Sequence, residues 1–424
     1  MNTVQILLLS TLIFFIIYWY ISKADLLSPA KVFGVIWGVS IFLALFKFSG
    51  YQFGWSEYSW FVLLLGLLSF LLGVFIIFAI NSDKNAHTVP EIRKYFLSGN
   101  CIDSFKLSAA IKVLFFSYLV ALLVEIAVFG TVPILSSKPD FARVKFGLYG
   151  VHLLVNIIPA LLFLCVEYLV FNFKNKRGKL FVAAIFLVAS VSYFLLLERF
   201  NYFFAFIMCL GLLYYATDLM KFKTIFIISV IFLAFVWILQ NIRLSQYAEQ
   251  FIYITSKMRY SSDYAVLTGP YMYIVMNLEN MAKGVSLLNN HSYGILTGDW
   301  LFALTGLKNW VQEYFNIDYR RFVYSGYNTY PFLWDYFYDF GIIGVALFPM
   351  ILGSGISSIY YSLKIKPNIK WLNLYSFSLF IIIISFFTNP LSSLNVVFNL
   401  LVIWAVSVYI SRDKKDLNLK PSII

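Results

Sequence analysis

The chain has 424 residues, of which 61% are hydrophobic and only 12% charged, about half the charged share of a soluble globular protein. Its mean hydropathy is +0.82. Apolar runs of about 20 residues recur from end to end, each able to cross a hydrocarbon core of ~30 Å. Cytosolic enzymes, secreted domains, coiled coils and disordered chains are excluded. The formal charge of +12 fits the basic inner loops of a membrane protein, so no nucleic-acid partner is expected.

Windows of about 19 residues place eleven spans. They lie near 4–22, 30–48, 58–80, 107–129, 149–172, 180–197, 200–217, 222–240, 330–362, 371–388 and 391–410. The expected fold class is an all-α polytopic membrane protein. The first span has no basic leader and no small-residue cleavage site, so it reads as an anchor. The ninth is too long for one straight crossing, so it is tilted or begins as an extracytoplasmic helix. Segment 241–329 carries weak amphipathic stretches around 247–260 and 308–322, with breaks at Gly269-Pro270, Gly298 and Gly326. A structureless loop of that length is unusual, so a folded helical cap is expected. The chain then divides into spans one to eight (1–240), the cap (241–329), and three last spans with a tail (330–424).

Lysine and arginine in short loops set the orientation. With the N-terminus outside, 19 of the 32 basic residues fall in inner loops, from Lys23 and Lys31 to Arg412, Lys414, Lys415 and Lys420. The C-terminus is then cytoplasmic, and the cap lies outside.

Motifs for phosphate-binding loops, zinc hydrolases and serine nucleophiles are missing. Cys101, Cys165 and Cys209 offer no disulfide framework, and His87, His152 and His291 are too scattered for a transition-metal site. There is no Asp-x-Asp pair to hold a nucleotide sugar through metal. No cofactor is expected. Any chemistry must run on arginines, carboxylates and a histidine.

Arginine is unevenly placed. Of the inner basic residues only Arg93, Arg177 and Arg412 are arginines, whereas half of the 12 outer ones are: Arg143, Arg199, Arg243, Arg259, Arg320 and Arg321. Lysine suffices as a topological charge, but guanidinium offers a rigid fork for phosphate oxygens. Arg143, Arg199 and Arg243 follow or end three different spans and can gather around a diphosphate at headgroup level. Snorkelling to ordinary lipid phosphates accounts for the same placement.

Carboxylates form a second signal. Glu125 lies near the outer end of the fourth span, Glu198 abuts Arg199, and Asp335 and Asp339 open the ninth. Ionisable groups in a span face a polar cavity or a partner. Candidate general bases are Asp339 first, then His291, then Asp263 or Glu279, with Asp299 also in the cap. Glu167 reads as structural. A third signal is that 14 of the 30 tyrosines lie between Tyr247 and Tyr338, which suits either a glycan groove or an interfacial aromatic belt.

These features, in this order, resemble the oligosaccharide repeat-unit polymerases that build O-antigen or capsule. Gly130-Thr131-Val132-Pro133-Ile134-Leu135-Ser136 with Arg143 resembles that family's first outer loop. Leu197-Glu198-Arg199 is similar to its short arginine-bearing turn, and Leu267-Thr268-Gly269-Pro270-Tyr271 sits in the long loop. The most specific match is Tyr327-Asn328-Thr329-Tyr330, followed by Asp339-Phe340-Gly341-Ile342-Ile343-Gly344.

The resemblance implies a GT-C-like lipid-phosphosugar glycosyltransferase fold in the bacterial inner (plasma) membrane. Its substrates, donor and acceptor, would be undecaprenyl-diphosphate-linked oligosaccharides among membrane lipid, with a chain-length regulator and a flippase as partners. Taken together with the residues themselves, it points to catalytic roles for Asp339, His291 and Arg199. Substrate binding would fall to Arg143, Arg243, Arg259, Arg320, Arg321, Tyr327 and Asn328. An O-antigen ligase or another lipid-linked glycosyltransferase stays open as an alternative, with a flippase for lipid-linked sugar behind it.

Overall fold

The computed structural model describes residues 25–98, 101–172, 175–220, 222–243, 248–315, 317, 322–324 and 326–411. The expected first span, 4–22, lies outside the described residues. The helices run α1 (Pro29–Leu45), α2 (Glu57–Ile80), α3 (Val89–Leu97), α4 (Ser104–Phe129), α5 (Pro139–Lys145) and α6 (Val151–Val155). They continue with α7 (Ile158–Phe171), α8 (Lys176–Phe194), α9 (Phe200–Ala216), α10 (Phe222–Arg243), α11 (Ala248–Thr255) and α12 (Thr268–Leu287). Last come α13 (Asp299–Thr305), α14 (Lys308–Tyr314), α15 (Leu333–Ile365), α16 (Ile369–Ile384) and α17 (Leu394–Ile410). Among the described residues the only β pairing is isolated bridges. The regular structure of those residues is all-helical.

Among the described residues five stretches are long and apolar enough to cross a membrane: Glu57–Ile80, Ser104–Leu135, Val151–Phe171, Lys176–Phe194 and Leu333–Ile365. Pro29–Leu45, Phe200–Ala216, Lys223–Phe232, Ile369–Ile384 and Leu394–Ile410 are apolar but shorter. Each described span read from hydropathy is mostly helical, the fifth as two helices.

The described chain forms two compact units of interleaved segments. The first takes residues 25–84, 248–361 and 378–397. Here α2 starts cleanly, because the Ser56 hydroxyl accepts from the Ser59 N–H. It crosses α15 at backbone contact distance. A Cβ on Gly73 would lie 2.1 Å from the Met350 carbonyl, and one on Gly353 would lie 2.3 Å from that of Phe70. Small residues at such a crossing let packing replace the hydrophobic drive that lipid cannot supply. Phe33 stacks on Phe70 with centroids 3.9 Å apart, and the Trp37 indole N–H donates to Ser385 Oγ at 2.9 Å.

Cap segment 248–314 belongs to this unit as α11 to α14. Gly269-Pro270 does not break the chain as expected; both residues occupy the first turn of the long, largely buried α12. The first turn leaves its N–H groups unpaired anyway, so a proline there loses nothing. The breaks at Gly298 and Gly326 are present: Gly298 precedes α13, and Gly326 turns with φ +86°.

The overlong ninth span has a physical answer. Helix α15 is interrupted at Gly341, whose φ of 60° and ψ of −141° lie outside the helical region. Only glycine adopts that conformation without strain.

The second unit takes residues 85–243, 362–377 and 398–411. Its centre is α7, buried along most of its length. The fifth span is not one helix, because α6 and α7 part at Asn156-Ile157 and Pro159 has no N–H. Asn399 mends the gap: its Nδ2 donates to the Asn156 carbonyl at 2.9 Å, and its Oδ1 accepts from the Ala160 N–H at 3.2 Å. A broken helix inside an apolar bundle needs such side-chain substitutes for its lost backbone bonds.

Candidate functional site

The densest polar constellation among the described residues lies in the second unit, where α4, α6, α8 and α9 end. Glu125, in the last turns of α4, is completely buried. Its Oε1 accepts from the Leu148 N–H at 2.9 Å, and both of its oxygens lie 3.1 Å from His152 Nδ1. The other ring nitrogen, His152 Nε2, lies 3.6 Å from Glu198 Oε1. Glu198 Oε2 in turn accepts from the Tyr193 hydroxyl. Asn156 Oδ1 closes the network, accepting from Asn201 Nδ2 at 2.8 Å and lying 3.1 Å from the Tyr193 hydroxyl oxygen. One imidazole is therefore held between two carboxylates, Glu125 on α4 and Glu198 in the turn between α8 and α9.

The local backbone is shaped around this ring. Gly147 has a φ of 130°, and a Cβ there would lie 2.9 Å from His152 Cγ and Nδ1. Only glycine fits. Leu197, buried and non-glycine, sits at φ +59° immediately before Glu198. Such backbone costs on the order of 1–3 kcal/mol and clusters where structure serves function.

Two expected arginines stand here. Arg143, on α5, has its Nε 3.7 Å from Asp140 Oδ1 and acts electrostatically on Glu198. Half-buried Arg199 occupies the capping position of α9, next to Glu198. Burial alone would push the Glu198 carboxyl up, but bonds from His152 and Tyr193, with the Arg143 charge, hold it below the usual carboxylate range. Arg243 ends α10, and its side chain lies outside the described residues, as do Arg320 and Arg321.

The remaining expected residues lie in the first unit. The Tyr327–Tyr330 motif is fastened to α12 by two asparagines. Asn280 Nδ2 donates to the carbonyls of Tyr327 (2.8 Å) and Thr329 (2.9 Å), and its Oδ1 accepts from the Tyr324 N–H at 3.0 Å. Thr329 Oγ1 donates to Asn277 Oδ1. Tyr327 shares a hydroxyl bond with Ser256, while Asn328 and Arg259 are exposed. Asp339 is completely buried and occupied: Oδ1 accepts from Ser292 Oγ and the Leu296 N–H (3.1 Å), and Oδ2 accepts from the Thr297 N–H (2.6 Å). His291 lies against the Gly341 break, with Nδ1 3.2 Å from the Tyr338 carbonyl. Asp299 is paired with Lys308 at 2.6 Å, and exposed Asp263 accepts from Ser261.

Glu279 lies on α12, buried, with Oε2 accepting from the Trp55 indole N–H at 2.9 Å. Burial pushes its carboxyl from 4.5 up to about 7. The folded state therefore holds a proton that the unfolded chain releases. That contribution is full below pH 4.5 and is lost as pH rises through about 7. Chemical denaturation of the purified protein at pH 5 and pH 8 is expected to show a loss on the order of 3 kcal/mol from this group. Glu279→Gln should flatten that dependence; an unchanged pH profile would contradict the assignment.

His152 is the residue that sequence reasoning passed over. Its partners lie on α4 and in the α8–α9 turn, so its spacing from them carries no pattern, and in the sequence it is one of three scattered histidines. No family model, curated protein or solved structure matches this chain.

Proposed function

We propose that this chain is an oligosaccharide repeat-unit polymerase of the bacterial inner membrane, with eleven spans, an outside N-terminus and a cytoplasmic C-terminus. It moves a growing glycan from its polyprenyl diphosphate onto a hydroxyl at the non-reducing end of a second lipid-linked unit. The bond from the anomeric carbon to the phosphate oxygen breaks, and the acceptor oxygen forms the new one. The acceptor proton must be removed, and the diphosphate leaves with the bonding electrons.

The observation carrying this reading is the Glu125–His152–Glu198 cluster beside Arg143 and Arg199, among helices that are otherwise apolar. Imidazole between two carboxylates suits proton transfer, because either neighbour stabilises the ring while it holds the extra proton. Guanidinium at Arg143, Arg199 and Arg243 suits the charge that develops on the leaving diphosphate. Tyr327, Asn328 and Arg259, with Arg320 and Arg321, are assigned to the lipid-linked acceptor.

The surface glycan of a strain lacking this chain tests the class. Single repeat units in place of long chains are expected. Glycan that still polymerises but is no longer attached to its final carrier would make the protein a ligase. Repeat units trapped on the cytoplasmic side would make it a flippase.

A further inference from the structure

The core of the second unit holds a polar cluster that the glycosyl-transfer reading does not use. Glu167 on α7, Asn373 and Ser376 on α16, and Ser407 on α17 are completely buried, each at 0% exposure. Asn373 Nδ2 donates to Glu167 Oε2 at 3.0 Å and to Ser407 Oγ at 2.9 Å, which uses both of its protons. Three oxygens then have no hydrogen-bond partner among the described residues: Glu167 Oε1, Asn373 Oδ1 and Ser376 Oγ. No lysine, arginine or histidine forms an ion pair with Glu167 among those residues.

A carboxylate removed from water with a single donor is heavily penalised unless a positive partner is close. The unpartnered atoms are all oxygens: Asn373 and Ser376 lie three apart on one face of α16, and Glu167 is hydrogen-bonded to Asn373. Oxygen-only donors select hard cations rather than zinc, copper or iron. One carboxylate with a neutral amide and hydroxyls balances a single positive charge, whereas a divalent ion would leave net charge in an apolar interior. Few short side chains on packed helices close around a small ion, whereas potassium is held by larger rings of carbonyls.

We propose that Glu167, Asn373, Ser376 and Ser407 form a sodium-ion site that ties α7 to α16 and α17. This goes beyond the proposed transfer reaction and stands whether or not that reaction is correct. Asn373 Oδ1 and Glu167 Oε1 are the central ligands, and Ser376 Oγ turns a lone pair toward the ion.

The test is thermal unfolding of the purified full-length protein in sodium chloride, potassium chloride or choline chloride at equal ionic strength. Sodium is expected to raise the midpoint saturably by a few degrees over both other salts, as any ligand specific to the native state does. Glu167→Gln keeps the volume and the Asn373 bond but removes the charge, so it should abolish the sodium response. Ser376→Ala should shift the half-saturating sodium concentration upward several-fold. Equal wild-type midpoints in the three salts would overturn the site. So would a Glu167→Gln protein that still responds to sodium. A Glu167→Gln midpoint equal to wild type, with neither responding, would show a carboxyl kept as the neutral acid, again overturning it. If the glutamine variant does not fold, the wild-type sodium titration and Ser376→Ala decide the question.

Discussion

Replacing His152 with glutamine is expected to stop glycan chain extension while leaving the protein folded in the membrane. Glutamine keeps a donor facing Glu125 but cannot take up and release a proton. The rate should fall on the order of 100- to 10,000-fold, the usual contribution of a positioned acid or base. Because the ring is held by two carboxylates, the flanking variants should grade the effect. Glu125→Gln leaves an acceptor for the Leu148 N–H and loses the charge on one side of the imidazole. Glu198→Gln disturbs Tyr193 as well. Both should retain partial activity, and doubling either with His152→Gln should add little, since residues that act as a unit are not additive. The measurement is the initial rate of chain extension on defined lipid-linked units, corrected for protein level. Normal rates for folded His152→Gln would remove this cluster from the chemistry.

How far such a site could be read beforehand depends on which kind of signal each residue emits. The apolar helices were legible because hydropathy over one helix length is a local sum and needs no knowledge of neighbours. Glu125 and Glu198 were legible as charges in apolar surroundings, which demand a partner. His152 was not, since its meaning comes from Glu125 on α4 and Glu198 in the α8–α9 turn, and nothing in the residues between records that meeting. Gly147 is similar: a glycine in a loop is unremarkable until the ring packed against it is known. Helix α12 was hidden for a different reason. Gly269-Pro270 carries a strong break signal, yet the same pair fits a helix's first turn, and only burial of the residues that follow distinguishes the two. The excess length of the ninth span correctly pointed to an irregular helix, but tilt and interruption have the same length signature. Gly341 decides between them.

Asp339 is expected to matter more for folding than for chemistry, although sequence reasoning ranked it first as the base. Both of its oxygens are engaged, and the donors are a hydroxyl and two main-chain amides of the loop that lies against the Gly341 break. Tyr338 and Asp339 also use their carbonyls there, accepting from the N–H groups of Ser292 and Tyr293. The carboxylate thus holds the 292–297 loop against an interrupted helix, and its complete burial keeps both oxygens from a sugar hydroxyl. Asp339→Ala strips one buried and two partly buried donors of their partner, at about 1–3 kcal/mol for each unsatisfied group. A total on the order of 3–5 kcal/mol is a large part of the stability of any single domain. The alanine variant should therefore accumulate poorly and melt early. Asp339→Asn keeps one acceptor oxygen but turns an amide toward a donor, so its stability should fall between alanine and wild type. The deciding quantity is activity per folded molecule, from chain-extension rate divided by the folded fraction measured on the same preparation. For Asp339→Asn that ratio should stay within a few-fold of wild type. A well-folded Asp339→Asn protein slowed by about 100-fold or more would instead show the carboxylate acting directly on the acceptor proton, and His152 would lose that role.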